Sequence, residues 1–475
     1  MKLPLLLLAT SATTFPALPR VGPDYARPAV DAPAAYRDAE NSGPWKTAEP
    51  ADASVRGQWW KLFADPALDA LETRALAANQ DLHAAAARVE QARAAAGIAR
   101  GADWPQLALD PSVTRERTSA TTDNVFPQSP ATTYRLPLVA SWEIDLFGRV
   151  RRLTESARRD ADASAATFES VRLALTAEVA TNYFSYRALD RELALVRASA
   201  ALRQRAFELV SARLRSGAAT EFDLARAETE LATADAESAS LARRRSASQN
   251  ALAVLVGEPA SDFSLPSVDA PEALPPVVPA GLPSELLERR PDIAAAERSL
   301  AAANARIGVA KAAFFPAISL TGSAGFASGE VDRLFTSDSR VWSIGPSLYL
   351  PIFQGGRNRA NLERSRAAYD ESVAIFRQQI LVAFREVQDA LTATKFLAEQ
   401  SEAQARAVVA ARRATALAQS RYDSGFVPYI DVIDAQRTSL AVERASTQLG
   451  ALRLTASVAL IKALGGSWWH QKGGI

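Results

Sequence analysis

The sequence predicts an internally duplicated, mixed α and β membrane protein. Long antiparallel helices form a coiled-coil barrel, and four β-strands per chain close a transmembrane barrel only by pooling with other copies. Three observations predict it. First, residues from Arg149 to Gly257 recur 208 positions later without a gap: Arg149 as Arg357, Glu155 as Glu363, Phe168 as Phe376, Ser216-Gly217 as Ser424-Gly425, Asp223 as Asp431 and Gly257 as Gly465. That period far exceeds the roughly 20–50 residues of a solenoid unit and marks a duplicated half-protein. Second, two segments alternate apolar and polar residues with the period of a strand. Third, two segments keep 3-4 apolar spacing over about six heptads, which demands a coiled-coil seam.

Taken in order, Met1-Lys2-Leu3-Pro4, Leu5 to Leu8 and the small residues after them read as a secretory signal over residues 1–19. Residues 20–64 begin rich in Pro, Ala and Asp without periodicity and read as an extended arm. The first repeat, 65–283, opens with one helix from Asp65-Pro66 to about Ala99, stopped by Gly101 and Trp104-Pro105. A hairpin over about 107–146 follows, its second strand alternating Tyr134, Leu136, Leu138, Ala140, Trp142, Ile144 and Leu146 with a largely polar face. Its partner is Leu107–Arg117. A helix over about 149–215 carries the seam Phe168, Leu175, Val179, Tyr186, Leu189, Leu193, Val196, Ala200, Phe207, Val210 and Leu214, and spans on the order of 100 Å. Ser216-Gly217 ends it, a helix over about 221–255 follows, and Pro-rich Asp262–Pro283 forms an equatorial linker. The second repeat, 284–475, runs helix, hairpin (about 317–352), long helix (about 357–423, seam Phe376, Ile380, Ala383, Val387, Ala390, Leu397, Val408, Ala411, Ala418 and Tyr422), helix (about 430–464) and tail.

Composition removes several function classes. Lys+Arg 54 balance Asp+Glu 53 for a net charge of +1, which offers nucleic acid nothing. There is no cysteine, and His83 and His470 are the two histidines, so thiolate chemistry, a histidine-centred triad and a two-histidine zinc motif are excluded. No cofactor or metal is expected, and the enzyme reading is weak. No run of about 20 apolar residues can cross a bilayer as a helix. A closed barrel starts near eight strands, so two hairpins in one chain require a ring of identical protomers.

The motifs Val21-Gly22-Pro23-Asp24-Tyr25-Ala26-Arg27-Pro28, Trp59-Trp60-Lys61-Leu62-Phe63-Ala64-Asp65-Pro66, Trp142-Glu143-Ile144-Asp145-Leu146-Phe147-Gly148-Arg149, Glu288-Arg289-Arg290-Pro291-Asp292-Ile293 and Arg421-Tyr422-Asp423-Ser424-Gly425 follow one another along the chain. Through them the chain resembles the TolC-like outer-membrane efflux factors, in the branch paired with resistance-nodulation-division pumps. The resemblance implies a homotrimer with a twelve-stranded outer-membrane barrel in contact with lipid, continuous with a twelve-helix periplasmic tunnel closed at its tip. It implies two partners, a periplasmic adaptor (membrane fusion) protein and an inner-membrane resistance-nodulation-division pump, and an exit duct for small molecules. A type I protein-secretion channel and a soluble periplasmic coiled-coil scaffold are the competing readings. The branch carries a lipidated cysteine before the Val-Gly-Pro motif, where this chain has Leu18-Pro19-Arg20; membrane residence without acylation is therefore expected.

The candidate site lies where each long helix turns back. Asp431 and Asp434 are three residues apart, on one helical face, and a trimer would stack them as two rings of carboxylates. By resemblance they match the acidic gate positions, Arg437 the gate arginine, Ile430 the apolar constriction and Tyr422 the tyrosine that ties helices in the closed state. The first-repeat counterpart is Asp223, with Phe222 beside it. A plainer reading makes Asp431, Asp434 and Asp223 first-turn acids favoured by the helix dipole. Trp59, Trp60, Trp142, Trp342, Trp468 and Trp469 are expected as packing or interface anchors.

Overall fold

A computed structural model of the chain describes residues 20–29, 57–119, 121, 130–266, 274–276 and 289–466. The signal segment, most of the arm, most of the Pro-rich linker, and Trp468 and Trp469 lie outside these residues. The chain divides into two compact units, one of Met1–Pro28, Glu90–Ala163 and Glu297–Ile375, the other of Ala29–Val89, Ser164–Ala296 and Phe376–Ile475. The units do not follow the repeats, because each repeat contributes to both.

The repeat shows in element lengths. The first half carries α2 (Gln80–Gly101, 22 residues), α3 (Arg149–Arg215, 67) and α4 (Glu221–Leu255, 35). The second carries α5 (Pro291–Ala312, 22), α6 (Arg357–Asp423, 67) and α7 (Tyr429–Ala463, 35). The single helix expected from Asp65 to Ala99 is instead two, α1 (Pro66–Ala78) and α2. Asn79 causes the break: its Nδ2 donates to the Leu255 carbonyl at 3.0 Å while its Oδ1 accepts from Leu82 N at 2.9 Å, capping the next helix.

In the first unit the strands form one antiparallel sheet. β1 (Gln106–Leu109) and β2 (Ser112–Glu116) both pair with β3 (Ala131–Ile144), which pairs with β4 (Ala317–Ser328), which pairs with β5 (Arg340–Tyr349). The strand expected over Leu107–Arg117 is thus split at Asp110-Pro111, where proline has no N–H for the ladder. Its register carries across the gap, Leu109 facing Leu138 and Ser112 facing Arg135, so the sheet remains four strands wide. Its two edges, β1–β2 and β5, have no partner among the described residues.

The arm fastens to the same unit. Val21 N donates to the Phe147 carbonyl at 3.0 Å, and Arg152, 1% exposed, donates to Asp24 at 2.7 Å. Tyr25 Oη donates to Glu297 at 3.3 Å, and Arg27 pairs with that carboxylate at 3.2 Å. Gly22 crosses α5 at Gly308; a Cβ on it would lie 2.5 Å from the Gly308 Cα.

The core of the second unit joins Trp59, Trp60, Phe63, Leu68 and Leu71 to Val179, Tyr183 and Tyr186 of α3, Leu252 of α4, and Val458 and Ile461 of α7. Trp59 and Trp60 act as anchors: their indole N–H groups donate to Thr176 at 3.2 Å and Asp69 at 2.8 Å. Of the expected seams, Leu175, Val179, Tyr186, Leu193 and Val196 on α3 and Phe376, Ile380, Ala383, Val387, Ala390 and Ala411 on α6 are buried, while Phe168, Val210 and the remaining α3 positions and, on α6, Leu397, Val408, Ala418 and Tyr422 are half-buried. Arg444 of α7 binds Glu192 of α3 at 2.7 Å and also pairs with Glu237 of α4.

Arg290 ties the start of α5 into this unit. It donates to both oxygens of Asp292, at 3.1 and 2.6 Å, and to the Ala463 carbonyl at 3.0 Å, and it pairs with Glu386 at 2.7 Å. Burial pushes the Asp292 carboxyl up, but the hydrogen bond and charge of Arg290 outweigh that and hold it low. Arg290→Ala leaves these carboxylates unpaired and is expected to cost about 3–5 kcal/mol, read as a lower unfolding temperature. The loss is full above the ordinary carboxylate range and shrinks as pH falls through the depressed value, where Asp292 takes up a proton in either protein.

Candidate functional site

Both long helices turn back in the same way, in the second unit. Gly217 and Gly425 share φ +75, a left-handed conformation that suits glycine. Ala218 N donates to the Arg213 carbonyl and Gly217 N to that of Leu214; Phe426 N and Gly425 N repeat the pattern to Arg421 and Tyr422. These are Schellman closures, and they set the starts of α4 and α7 beside the ends of α3 and α6.

The two turns then diverge. Thr220 caps α4: its side chain accepts from Asp223 N at 3.2 Å, while Asp223 Oδ2 accepts from Thr220 N at 3.0 Å and from its hydroxyl at 2.7 Å. These bonds from Thr220 hold the Asp223 carboxyl below its ordinary value. In α7 the capping position is Pro428, which makes no side-chain cap. Asp431, the counterpart of Asp223, therefore has no capping partner, and its carboxylate makes no hydrogen bond or ion pair among the described residues. Asp434 lies one turn on, also exposed, with its carboxylate 3.9 Å from Arg437 Nη1.

Polar links join helices at this end. Arg213 Nη1 of α3 donates to Tyr422 Oη of α6 at 2.8 Å, and the Tyr422 ring lies 5.1 Å from that of Tyr429. Arg437 of α7 stands 3.7 Å from Glu230 of α4, which Arg203 of α3 holds at 3.3 Å. Burial, then the neighbouring Tyr422, push the Tyr429 hydroxyl up. Ile430 is half-buried. Phe222 is 72% exposed, and so is Phe426 at 77%, which the sequence reading did not single out.

Arg213, Arg203, Glu230 and Tyr429 also escaped the sequence reading. A signal was present, because much of the latch falls where the repeats differ. Shifted by 208, Tyr422 meets Leu214, Asp434 meets Arg226, Arg437 meets Thr229 and Glu230 meets Thr438. Duplication supplied the scaffold, and the departures from it supply the polar links. Among the described residues no group of three or more His, Asp or Glu could hold a metal.

The family model described as outer membrane efflux protein matches residues 71–258 and 282–466, one segment in each repeat. The chain belongs to the outer membrane efflux protein family. It is 39% identical over 94% of its length to the outer membrane protein OprJ of Pseudomonas aeruginosa, covering 93% of that protein. It is 38% identical to the toluene efflux pump outer membrane protein TtgI of Pseudomonas putida, covering 94% of this chain and 95% of the relative. The open state of the MtrE outer membrane channel of Neisseria gonorrhoeae superposes with a TM-score of 0.81 at 33% identity, covering 94% of this chain and 98% of that one. As a family member, the protein is an outer-membrane efflux channel with a large periplasmic helical portion. Among the described residues no helix is long and apolar enough to cross a membrane.

Proposed function

We propose that three copies of this efflux channel assemble into one exit duct, gated where the long helices turn. The single observation that carries the reading is the sheet: four strands wide, with both edges unpaired among the described residues. Open edges are tolerated in a bilayer only when a closed barrel removes them, and three such sheets give twelve strands. Each repeat, 65–283 and 284–475, then supplies one hairpin, one long helix and one shorter helix to the ring. Relatives are described as outer membrane proteins of toluene and solvent efflux pumps. That supports a periplasmic adaptor and an inner-membrane pump as partners, a lipid-facing barrel and small molecules as cargo.

At the tip, the trimer brings three copies each of Asp431 and Asp434 to one mouth, while Tyr422–Arg213 and Arg437–Glu230 hold the helices closed. Ile430 and Phe222 add an apolar constriction, and Asp223 serves first as the cap of α4. The test is light scattering in detergent followed by planar-bilayer recording. The expected result is a trimer of low conductance that rises severalfold in a Tyr422→Phe, Arg437→Ala variant with assembly unchanged. A water-soluble monomer would overturn the duct, and unchanged conductance in a variant that still assembles would overturn the latch.

A further inference from the structure

The first unit contains a charged groove that efflux does not account for. It encloses about 610 Å³ where the helices meet the foot of the sheet, and Arg20, Arg93, Asp103, Arg151, Arg158 and Arg159 line it. Most of its charges are already paired. Arg151 is 3.1 Å from Asp145, Arg159 3.5 Å from Asp162, and Arg93 2.7 Å from Glu90. Glu155, also on the wall, accepts from buried Arg152 at 2.9 Å. Among the described residues three side chains remain without a hydrogen bond or ion pair: the guanidinium groups of Arg20 and Arg158 and the carboxylate of Asp103.

The groove sits at a defined depth. Trp142 Nε1, near the end of β3, donates to the Asp103 carbonyl at 3.1 Å. Trp104, the next residue, is 66% exposed just before β1 begins at Gln106. Exposed tryptophans at strand ends form the aromatic girdle of a membrane barrel, at the level of the lipid headgroups. The wall of the groove therefore adjoins the girdle. The Val21–Phe147 hydrogen bond and the packing of the Arg20 backbone against Gly148 hold Arg20 at this place.

We propose that this groove binds the headgroup of a phospholipid from the periplasmic leaflet, with its phosphate on Arg20 and Arg158 and a primary amine on Asp103. The inference rests on the reading of the sheet as the membrane barrel. Two planar guanidinium forks suit a phosphate diester, and the leftover carboxylate suits an ammonium group. A headgroup carrying phosphate but no amine leaves Asp103 facing a second anion. A trimethylammonium headgroup supplies the charge but no N–H to donate.

The test uses purified protein, delipidated in mild detergent and titrated in native mass spectrometry with phosphatidylethanolamine, phosphatidylglycerol, phosphatidylcholine and diacylglycerol. Phosphatidylethanolamine is expected to be retained about tenfold more tightly than the other three, with free phosphoethanolamine a poor competitor. Arg20→Gln with Arg158→Gln is expected to lose about tenfold in that retention. Asp103→Asn should keep phosphate binding but lose the preference for the amine. Equal retention by wild type and the double glutamine variant overturns the site. Equal retention of diacylglycerol does the same, and effective competition by free phosphoethanolamine overturns a lipid occupant. Fractionation separates this proposal from the one beneath it. Wild-type protein absent from the outer-membrane fraction refutes the barrel, whereas outer-membrane residence without headgroup preference refutes the groove alone.

Discussion

Replacing Glu72 with leucine raises the unfolding temperature of the protein in detergent and flattens its dependence on pH. Glu72 lies on α1, is 0% exposed, and neither carboxylate oxygen has a hydrogen-bond partner among the described residues. Burial, reinforced by the charge of Asp69, pushes its carboxyl up to about 9. At neutral pH the folded protein must therefore hold a proton that the unfolded chain has released. Below the ordinary glutamate value both states are protonated and the residue imposes no linkage cost. Between that value and about 9 the native state binds one more proton, so stability falls by about 1.4 kcal/mol per pH unit. Above the upper value the cost is constant. The expected gain for Glu72→Leu is a few kcal/mol near neutrality and smaller in acid, with Glu72→Gln flattening the pH profile at less gain. Melting curves from about pH 5 to about pH 9 check it. A wild-type curve that does not fall with pH, or a leucine variant that melts lower throughout, contradicts the account.

Replacing both Asp431 and Asp434 with alanine abolishes block by divalent or multivalent cations from the periplasmic side and reduces cation selectivity. In the proposed trimer, up to six carboxylates in one narrow mouth would attract cations and repel anions, with Arg437, 3.9 Å from Asp434, offsetting part of the repulsion. Both residues are exposed, and Asp431 caps nothing, so assembly should survive the change. Planar-bilayer recordings with added divalent or hexammine cations measure the block. If the double variant keeps full block and selectivity, the two acids only start a helix, and Ile430 and Phe222 become the next residues to test. The comparison with Asp223→Ala is informative. Asp223 belongs to a capping box, so its removal is expected to loosen the α4 start and leave the block in place.

The sequence made some features plain and hid others for physical reasons. Periodicity found the strands and seams because each is a local pattern repeated many times. The turn glycines were readable because φ +75 is a backbone demand with one common solution. The break at Asn79 was missed because helical spacing continues on both sides of it; only its contact with Leu255 reveals the cap. Pro111 cut a strand whose alternation and register run straight through the cut. Glu72 sits one turn past buried Leu68 on an apolar face, but a charged residue reads as an exposed one. The links Arg213–Tyr422 and Arg437–Glu230 cross between helices far apart in the chain. No local pattern reports such pairs, although subtraction of the two repeats does point to Tyr422, Glu230 and Arg437.

The hold of the arm on α5 has a consequence for the order in which the chain folds. Tyr25 and Glu297 meet across 272 positions, and β3 has no second neighbour until β4, beginning at Ala317, is available. Helices α3 and α4 form from local contacts on a microsecond scale, but the sheet must wait for long loops to close. While the chain is being exported, β3 passes through an interval with its ladder half empty and exposed to other chains. Helices α3 and α4 are thus the early products of folding, whereas the core they share with α7 closes only after the second hairpin has been made. The sheet completes later than those two helices, and its nascent strand edges must be shielded until the second hairpin arrives.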